Sequence, residues 1–396
     1  MIATQGKAGH VLVAPDKFKG TLTAAQAAGH IAVGLRAARP DLAVREVPVA
    51  DGGDGTVAAA VAAGYQQAIL TVRGPTGQPV AARYAWRDGT AIIEAAQACG
   101  LTRLPGGQFQ PLTATSYGVG ELIAAAAARD ARRIVLGLGG VACTDGGAGM
   151  VAALGARLLD QAGRELPPGG AALAGLDSVD ISGLRRPAAE VLIASDVDNP
   201  LLGPRGAAAV YGPQKGASAG DVARLDASLA RWADFSERGM ATPQPGPAAQ
   251  PPGLSPARPR DLPGAGAAGG LGFAALAFLG ARTQPGIELI LDMIGFTSAL
   301  TGASMVITGE GALDRQTLHG KAPAGVASAT AAHAPGVPVI ALAGRRDLTD
   351  ADLRRSGFAA AYVLTDFEPD PARCMAQAGP LLEQAARRLA ADWLAS

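Results

Sequence analysis

Residues 10–63 read HVLVAPDKFKGTLTAAQAAGHIAVGLRAARPDLAVREVPVADGGDGTVAAAVAA. The apolar run at 10–14 predicts a buried strand, and the pattern that follows predicts a helix over 24–37. A second strand is expected over 44–49 and a second helix over 56–63. Strand, helix, strand and helix in this order are typical of a βαβ unit, so a parallel sheet is expected to begin here.

The pattern changes after Tyr65. Alternating strands are predicted at 67–72, 80–86 and 90–95 with no helix between them, so they are expected to be antiparallel and to belong to a second domain. Helices and strands alternate again further along the chain. The remaining predicted elements are helices over 121–131, 150–154, 221–235 and 381–394, and strands over 133–138, 191–194, 305–308, 338–343 and 360–364.

Length and composition exclude several classes of protein. A chain of 396 residues is typical of two or three domains. Lys+Arg and Asp+Glu are 34 each, and this zero net charge argues against a nucleic-acid partner, because phosphate binding leaves a basic surplus. The three cysteines, Cys99, Cys143 and Cys374, lie far apart in sequence, which excludes a disulfide framework and a zinc cluster.

No membrane partner is expected. Residues 1–10 have no apolar core of a signal peptide, so a cytoplasmic location is expected. The uncharged stretch 264–281 consists mainly of Gly and Ala, and it predicts a buried helix behind a glycine loop. Residues 241–263 contain 8 prolines and predict a solvated linker or surface loop.

The rare residue types of this chain are informative. It has five lysines against 29 arginines, and a single asparagine. Four of the lysines lie in Gly-rich or Asp-rich loops, at Lys17, Lys19, Lys215 and Lys321. An ammonium group is a compact point charge that the wide guanidinium fork does not replace at a tight phosphate site. These lysines are therefore candidates for function, with chance surface placement as the alternative.

Two loops after the first two strands are expected to bind anions. PDKFKG at 15–20 places a carboxylate and two ammonium groups before a helix N-terminus, which suits a phosphate or a carboxylate. ADGGDGT at 50–56 has aspartates around glycines that allow a ligand close to the backbone. A simple turn is the alternative for each. The candidate binding residues are Asp16, Lys17, Lys19, Asp51 and Asp54.

A longer glycine loop, GLGGVACTDGGAG at 137–149, follows a predicted strand. It is not a Walker A loop, because no Lys-Ser or Lys-Thr follows. Its position after a strand predicts a phosphate cradle. Gly139, Gly140 and Asp145 are the candidate contacts.

The stretch SDVDNP at 195–200 collects hard oxygen ligands at a strand end. Mg²⁺ binds through one or two carboxylates while substrate phosphates complete its shell, so Asp196 and Asp198 are candidate metal ligands. Asp196 is also a candidate proton acceptor, because an aspartate can position a hydroxyl group in phosphoryl transfer. Asn199 is expected to support them. An Asx turn before Pro200 is the alternative.

Two further loops carry lysines. YGPQKG at 211–216 contains Lys215, and TGEGALDRQTLHGKAP at 308–323 contains Lys321. The sequence has no Ser-His-Asp arrangement and no GxSxG elbow, so it does not support a hydrolase. No GxGxxG opens the first βα unit, so it does not support a dehydrogenase either. Lysines, glycine cradles and Asp/Asn pairs indicate phosphoryl transfer. The expected catalytic residues are Lys17, Asp196, Lys215 and Lys321, and Glu310 and Asp314 are expected to bind substrate.

Long motifs throughout the chain resemble the bacterial glycerate kinases of the two-domain type. They include, in order, VLVAPDKFKGTLTA, VPVADGGDGT, GPTG, IIEAA, TSYGVGELI, GGVACTDGGAGM, DVDNPLLGPRGAAAVYGPQKGA, GAGAAGGLG and VITGEGALDRQTLHGKAPAGV. The resemblance implies transfer of the γ-phosphate of ATP to D-glycerate with Mg²⁺, and the family favours the 2-hydroxyl, which gives 2-phosphoglycerate. Whether the protein is a monomer or a homodimer stays open.

The same resemblance implies an α/β fold with two domains. A flavodoxin-like or Rossmann-like parallel-sheet domain is expected over 1–64 and 286–396. A mixed α/β domain over 65–285 is expected to be inserted into it, with the active-site cleft between the two.

The chain departs from the family pattern at a few positions. In the glycine loop, Val141, Cys143 and Thr144 replace Ser, Thr and Asn. Ala312 stands where an arginine is frequent, and Asp54 replaces the commoner Glu. Val141 and Ala312 keep open a kinase for another small hydroxy acid or polyol. A non-catalytic sensor that binds its ligand without turnover is a separate alternative.

Overall fold

A computed structural model describes residues 9–240, 258–319 and 321–394. Most of the proline-rich loop predicted at 241–263 lies outside these residues. Its last part contains a short 3-10 helix at Pro259–Asp261.

The chain divides into two compact units. Unit 1 comprises Met1–Tyr65 and Pro285–Ser396, and unit 2 comprises Gln66–Gln284. Each unit is α/β and contains parallel strand pairs. Among the described residues, no helix combines the length and the apolar character needed to cross a bilayer.

The strands are numbered in chain order. They are β1 His10–Pro15, β2 Val44–Glu46, β3 Gln66–Arg73, β4 Pro79–Arg87, β5 Thr90–Glu94, β6 Arg133–Gly137, β7 Arg157–Leu159, β8 Ser178–Asp180, β9 Glu190–Ala194, β10 Arg282–Gln284, β11 Ala303–Leu313, β12 Val339–Arg346 and β13 Ala360–Val363.

The α-helices are numbered in the same way. They are α1 Ala24–Ala38, α2 Thr56–Ala62, α3 Ala95–Cys99, α4 Tyr117–Ala127, α5 Ala148–Ala153, α6 Ala207–Tyr211, α7 Ala219–Met240, α8 Ala267–Leu279, α9 Gly286–Met293, α10 Phe296–Leu300, α11 Ala322–His333, α12 Asp350–Arg355, α13 Pro371–Ala376 and α14 Ala378–Trp393.

The sheet of unit 1 has the order β13-β12-β11-β1-β2, and all its strand pairs are parallel. This confirms the parallel sheet predicted from 10–63. β2 ends at Glu46, although the prediction extended it to Val49. The chain beyond Glu46 still follows β1, because Val47 N donates to Val13 O at 2.8 Å and Val49 N donates to Pro15 O at 3.0 Å.

Helix α1 packs on α14 in unit 1. Thr23 caps α1 in a capping box with Gln26, which satisfies amide groups that the first helical turn leaves without partners. Gly34 allows a close approach of the two helices, since a methyl group there would lie 2.3 Å from the carbonyl oxygen of Glu383. The packing therefore depends on a glycine in the middle of a helix.

The main sheet of unit 2 has the order β10-β9-β6-β5-β4-β3. β3, β4 and β5 pair antiparallel, as predicted from their alternation without intervening helices. β5, β6, β9 and β10 pair parallel. β5 therefore joins the antiparallel part of the sheet to its parallel part. The carboxyl ends of β6 and β9 lie together at one edge of the sheet.

Helix α4 begins at Tyr117, although the prediction placed its start at Glu121. In the structure Gly118 and Gly120 lie where the helix touches its neighbours: a methyl group at Gly118 would lie 2.2 Å from Arg73 O, and one at Gly120 would lie 2.3 Å from Met150 O. Close packing therefore outweighs the low helix propensity of glycine.

We expect Gly120→Ala to lower the free energy of unfolding by about 1–3 kcal/mol, because the added methyl group forces α4 away from α5. Gly29→Ala in α1 is the matched control, since nothing lies within 4 Å of that position. Alanine there is expected to be neutral or stabilising by up to about 1 kcal/mol. Urea unfolding of both variants measures the difference, and a Gly120→Ala protein as stable as the parent contradicts the packing argument.

Helix α8 is the buried helix predicted within 264–281. Phe273 and Phe278 lie in the core of unit 2 against Trp232, whose ring stacks on Phe278 at a centroid distance of 5.4 Å. Its first turn is not helical, because Ala268, Gly269 and Gly270 all have positive φ angles. Left-handed backbone explains the glycines at positions 269 and 270.

Candidate active site

The carboxyl ends of β1 and β11 lie side by side in unit 1. The amide of Asp16, the residue after β1, donates to the carbonyl oxygen of Gly309 in β11 at 2.8 Å. Asp51, after β2, and Glu310, in β11, both act electrostatically on Asp16. The structure therefore brings these three predicted site residues together at one edge of a parallel sheet, where α/β proteins bind their ligands.

Asp16 is the buried member of this group. It is 7% exposed, and its Oδ1 accepts a hydrogen bond from the amide of Lys17 at 2.6 Å. Burial raises the pKa of Asp16 to about 7, against the attraction of Lys17 and with added repulsion from Asp51 and Glu310. A carboxyl group with this pKa exchanges a proton near neutral pH.

Phe18 is a buried residue between the two lysines of PDKFKG. Its side chain is buried, and its backbone forms an isolated bridge with Leu22. Lys17 is half-buried and Lys19 is exposed, on either side of this apolar anchor. Phe18 was not among the residues predicted from the sequence. The pattern that could have indicated it is a single large apolar residue between two lysines.

Lys17 reaches the second predicted anion loop. Its Nζ donates to the carbonyl oxygen of Asp54 and lies 3.9 Å from Asp54 Oδ2. The Asp54 carboxylate is 64% exposed, so the pair lies at the solvent boundary. The loops that follow β1 and β2 are therefore linked through the Lys17 ammonium group.

Lys321 lies between two carboxylates. Its Nζ is 3.5 Å from Glu310 Oε2 and 3.2 Å from Asp314 Oδ1. Thr317, which the sequence analysis did not identify, is fully buried and donates its hydroxyl to Glu310 Oε1 at 2.7 Å. Burial raises the pKa of Glu310, although Thr317 and Lys321 oppose the shift. The Lys321 ammonium group is therefore held in a defined position, and the two carboxylates largely balance its charge.

Ala312 stands where the family resemblance leads us to expect an arginine. In the sheet it is paired in register with Arg345 of β12. The Arg345 guanidinium contacts Asp347 at 2.5 Å. The neighbouring strand thus carries an arginine beside the position where β11 lacks one.

Asp145 organises the glycine loop of unit 2. It is 1% exposed, and its Oδ2 accepts hydrogen bonds from the Ser116 amide at 2.8 Å and the Ser116 hydroxyl at 2.9 Å. The amides of Gly147 and Gly149 donate to the same carboxylate at 3.1 and 3.2 Å. Donors of the protein itself therefore enclose the Asp145 carboxylate. We expected this residue to contact an anionic ligand, but its hydrogen bonds are typical of a residue that holds the loop in shape.

The departures from the family pattern in this loop face the interior. Val141 is 3% exposed, and Cys143 and Thr144 are fully buried. Cys143 Sγ donates to Cys99 Sγ at 3.8 Å, and both thiols are free. These residues therefore change the packing beneath the loop and not its exposed surface.

Lys215 holds the same loop from the inside. It is 3% exposed, and its Nζ donates to Cys143 O at 2.5 Å and to Thr144 Oγ1 at 3.3 Å. Burial lowers the pKa of Lys215. A methyl group at Gly269 would lie 2.9 Å from Nζ, so the left-handed first turn of α8 covers the ammonium group. This enclosure does not favour the direct contact with a phosphoryl group that we expected.

The aspartates of SDVDNP follow β9 and are exposed. Asp198 forms an ion pair with Arg205 at 3.1 Å. The Asn199 amide donates to Arg205 O at 2.8 Å and accepts from the Tyr211 hydroxyl at 2.6 Å. Asn199 therefore anchors the loop, and Tyr211 is a further residue that the sequence analysis did not identify.

The donor set at this loop fits Mg²⁺ in part. Asp196 offers an exposed carboxylate, which suits an ion that substrate phosphates hold for the most part. Asp198 does not fit as placed, because Arg205 contacts both of its carboxylate oxygens, at 3.3 and 3.1 Å. Across residues 9–240, 258–319 and 321–394, no group of three or more His, Cys, Asp or Glu side chains is arranged to hold a metal ion.

The whole chain is similar to known kinases. A model described as the glycerate kinase family matches residues 11–394. A glycerate kinase of Bacillus subtilis is 42% identical over 387 residues, which cover 96% of this chain and 97% of the relative. A glycerate 2-kinase of Escherichia coli is 42% identical over 345 residues, 86% of each chain. A crystal structure assigned to a glycerate kinase 2 of Salmonella typhimurium has a TM-score of 0.80 and 40% identity, and the match covers 97% of this chain and 98% of that one. The chain therefore belongs to the glycerate kinase family and is a kinase.

Proposed function

We propose that this chain transfers the γ-phosphoryl group of ATP to the 2-hydroxyl of D-glycerate and releases ADP and 2-phosphoglycerate. The observation that carries the proposal is the 42% identity with a glycerate kinase along nearly the whole chain. A relative named glycerate 2-kinase supports the choice of the 2-hydroxyl. The lysines and carboxylates at the edge of the unit 1 sheet support phosphoryl transfer, which depends on positioning and on charge neutralisation.

In unit 1 we assign to Lys17 and Lys19 the binding of the anionic groups of the substrates. Both flank the buried Phe18 at the start of a loop that leads into α1. Lys321, placed by Glu310 and Asp314, supplies a fixed positive charge to the developing negative charge of the transferring group. Asp51 and Asp54 hold the second loop beside the first.

In unit 2 we assign a phosphate contact to the backbone of Gly139 and Gly140. Gly140 is exposed and has a positive φ of 73° in the loop that follows β6. Asp196 would hold Mg²⁺, which supplies charge neutralisation to the phosphates when it is bound. Asp145, Lys215 and Asn199 act from beneath these loops by fixing their shape.

The order of segments supports an inserted domain, because unit 2 occupies the stretch between the two sequence segments of unit 1. The cleft expected between the domains, the cytoplasmic location and the choice between a monomer and a homodimer stay predictions.

Incubation with Mg·ATP and D-glycerate, with ADP release coupled to an optical readout, tests the proposed activity. We expect ADP release that depends on D-glycerate, and NMR of the product is expected to identify 2-phosphoglycerate. Absence of glycerate-dependent ADP release from folded protein contradicts the proposed function, and 3-phosphoglycerate contradicts the choice of hydroxyl. L-Glycerate, other hydroxy acids and small polyols serve as comparison acceptors.

A further inference from the structure

Asp16 combines burial with a carboxylate oxygen that receives no hydrogen bond from a described residue. Its Oδ1 accepts from the Lys17 amide, whereas no described residue donates a hydrogen bond to its Oδ2. The residue is 93% removed from solvent, since 7% of its surface is exposed. It therefore presents one carboxylate oxygen at the carboxyl edge of the unit 1 sheet with its hydrogen-bonding capacity unused.

The neighbouring carboxylates are occupied in other ways. Glu310 accepts from the Thr317 hydroxyl and contacts Lys321. Asp51 accepts from the amide of Gly53 at 3.1 Å, which shapes its own loop. Asp314 accepts hydrogen bonds from Lys321 Nζ and from the backbone amides of Gln316 and Thr317. Within the described part of the chain, Asp16 and Asp51 each keep one carboxylate oxygen without a hydrogen-bond donor, and of the two Asp16 is the buried one.

We propose that Asp16 accepts the proton of the glycerate hydroxyl during phosphoryl transfer, and this inference rests on the proposed function. The hydroxyl oxygen forms its bond to the γ-phosphorus while its proton passes to Asp16 Oδ2. The bond from the γ-phosphorus to the bridging oxygen breaks, and ADP leaves with that electron pair. Asp16 then returns the proton to solvent. The role differs from that of Asp196, which is exposed and lies in unit 2.

The charges around Asp16 suit a proton acceptor at neutral pH. Lys17 favours its ionised form, whereas burial and the negative charges of Asp51 and Glu310 oppose it, and together they raise the pKa to about 7. Below that pH Asp16 is protonated and cannot accept a proton. The rate is therefore expected to fall as the pH falls through about 7 and to level off above it.

The test compares wild type with Asp16→Asn and Asp16→Glu. We measure kcat and KM for D-glycerate between about pH 5 and about pH 9, because a general base contributes to kcat and appears as an acidic limb. Asp16→Asn is expected to lower kcat by about 10²–10⁴-fold with little change in KM and to lose the acidic limb. Asp16→Glu, which keeps a carboxylate, is expected to retain more activity than Asp16→Asn. Asp41→Asn is the control, since its carboxylate is 78% exposed and its ion pair within the described part of the chain is with Arg39.

A direct titration accompanies the kinetics. Carbon-13 NMR of the aspartate carboxyl groups is expected to show one resonance that titrates near pH 7 in wild type and is missing in Asp16→Asn. The inference is overturned if Asp16→Asn keeps kcat within tenfold of wild type, if it keeps the acidic limb, or if the loss lies in KM alone. It is overturned together with the proposed function if wild type shows no glycerate-dependent ADP release, so the two failures are distinguishable.

Discussion

Replacement of Lys17 by methionine is expected to lower kcat/KM for glycerate phosphorylation by about 10²–10³-fold. The Lys17 ammonium group donates a hydrogen bond to the Asp54 carbonyl oxygen, and the buried Phe18 is its neighbour in sequence, so its charge is held in a defined position. It is 24% exposed, and partial burial strengthens its interaction with a phosphate or carboxylate. Steady-state kinetics with varied ATP and varied glycerate identify which of the two substrates it binds.

Two variants control this prediction. Lys17→Arg keeps the charge but replaces a compact ammonium with a wide fork, and it is expected to recover only part of the activity. Arg36→Met removes a surface cation of unit 1 that pairs with Glu46 at 3.4 Å, and it is expected to leave kcat/KM unchanged. If Lys17→Met is as active as Arg36→Met, Lys17 has no part in substrate binding.

Asp145→Ala is expected to destabilise the protein by about 3–5 kcal/mol. The substitution removes a buried carboxylate and leaves the Ser116 amide and the amides of Gly147 and Gly149 without their acceptor. Each buried donor left unsatisfied costs about 1–3 kcal/mol, and several are lost at once. Urea unfolding measures the change in the free energy of unfolding.

The same variant separates a structural role of Asp145 from a role in binding. Asp177→Ala is the matched control in unit 2, because Asp177 is exposed and its substitution is expected to change stability by less than about 0.5 kcal/mol. If Asp145→Ala is as stable as Asp177→Ala but inactive, the carboxylate contacts substrate and our structural assignment is wrong.

Much of unit 1 could be predicted from local sequence. Strand, loop and helix patterns at 10–63 led to the parallel sheet, and parallel strands bring the loops at their carboxyl ends to one edge. Asp16, Asp51 and Glu310 therefore meet as the topology of such a sheet requires. Their residue types in Gly-rich loops were sufficient to indicate anion chemistry.

Other features depend on contacts that no local pattern encodes. Position 120 inside α4 requires a glycine because Met150 O lies close to it. Met150 lies outside the sequence of that helix, so the helix sequence alone does not predict this contact. Asp145 and Lys215 looked like ligand contacts, since acidic and basic residues beside glycines are common in both binding loops and buried networks. Asp145 accepts from Ser116 and Lys215 donates to Cys143, and these partners are distant in sequence.

From the amino-acid sequence one can therefore infer the α/β class, the family and the loops that carry chemistry, because these depend on periodicity and on residue types at short range. Only the tertiary structure determines how each charged group is buried and paired, because its neighbours come from distant segments of the chain. Asp16 and Asp198 have the same side chain, yet the first is buried with a pKa of about 7 and the second is exposed and paired with Arg205. Desolvation and long-range pairing make that difference, and both arise only when the chain has closed its core.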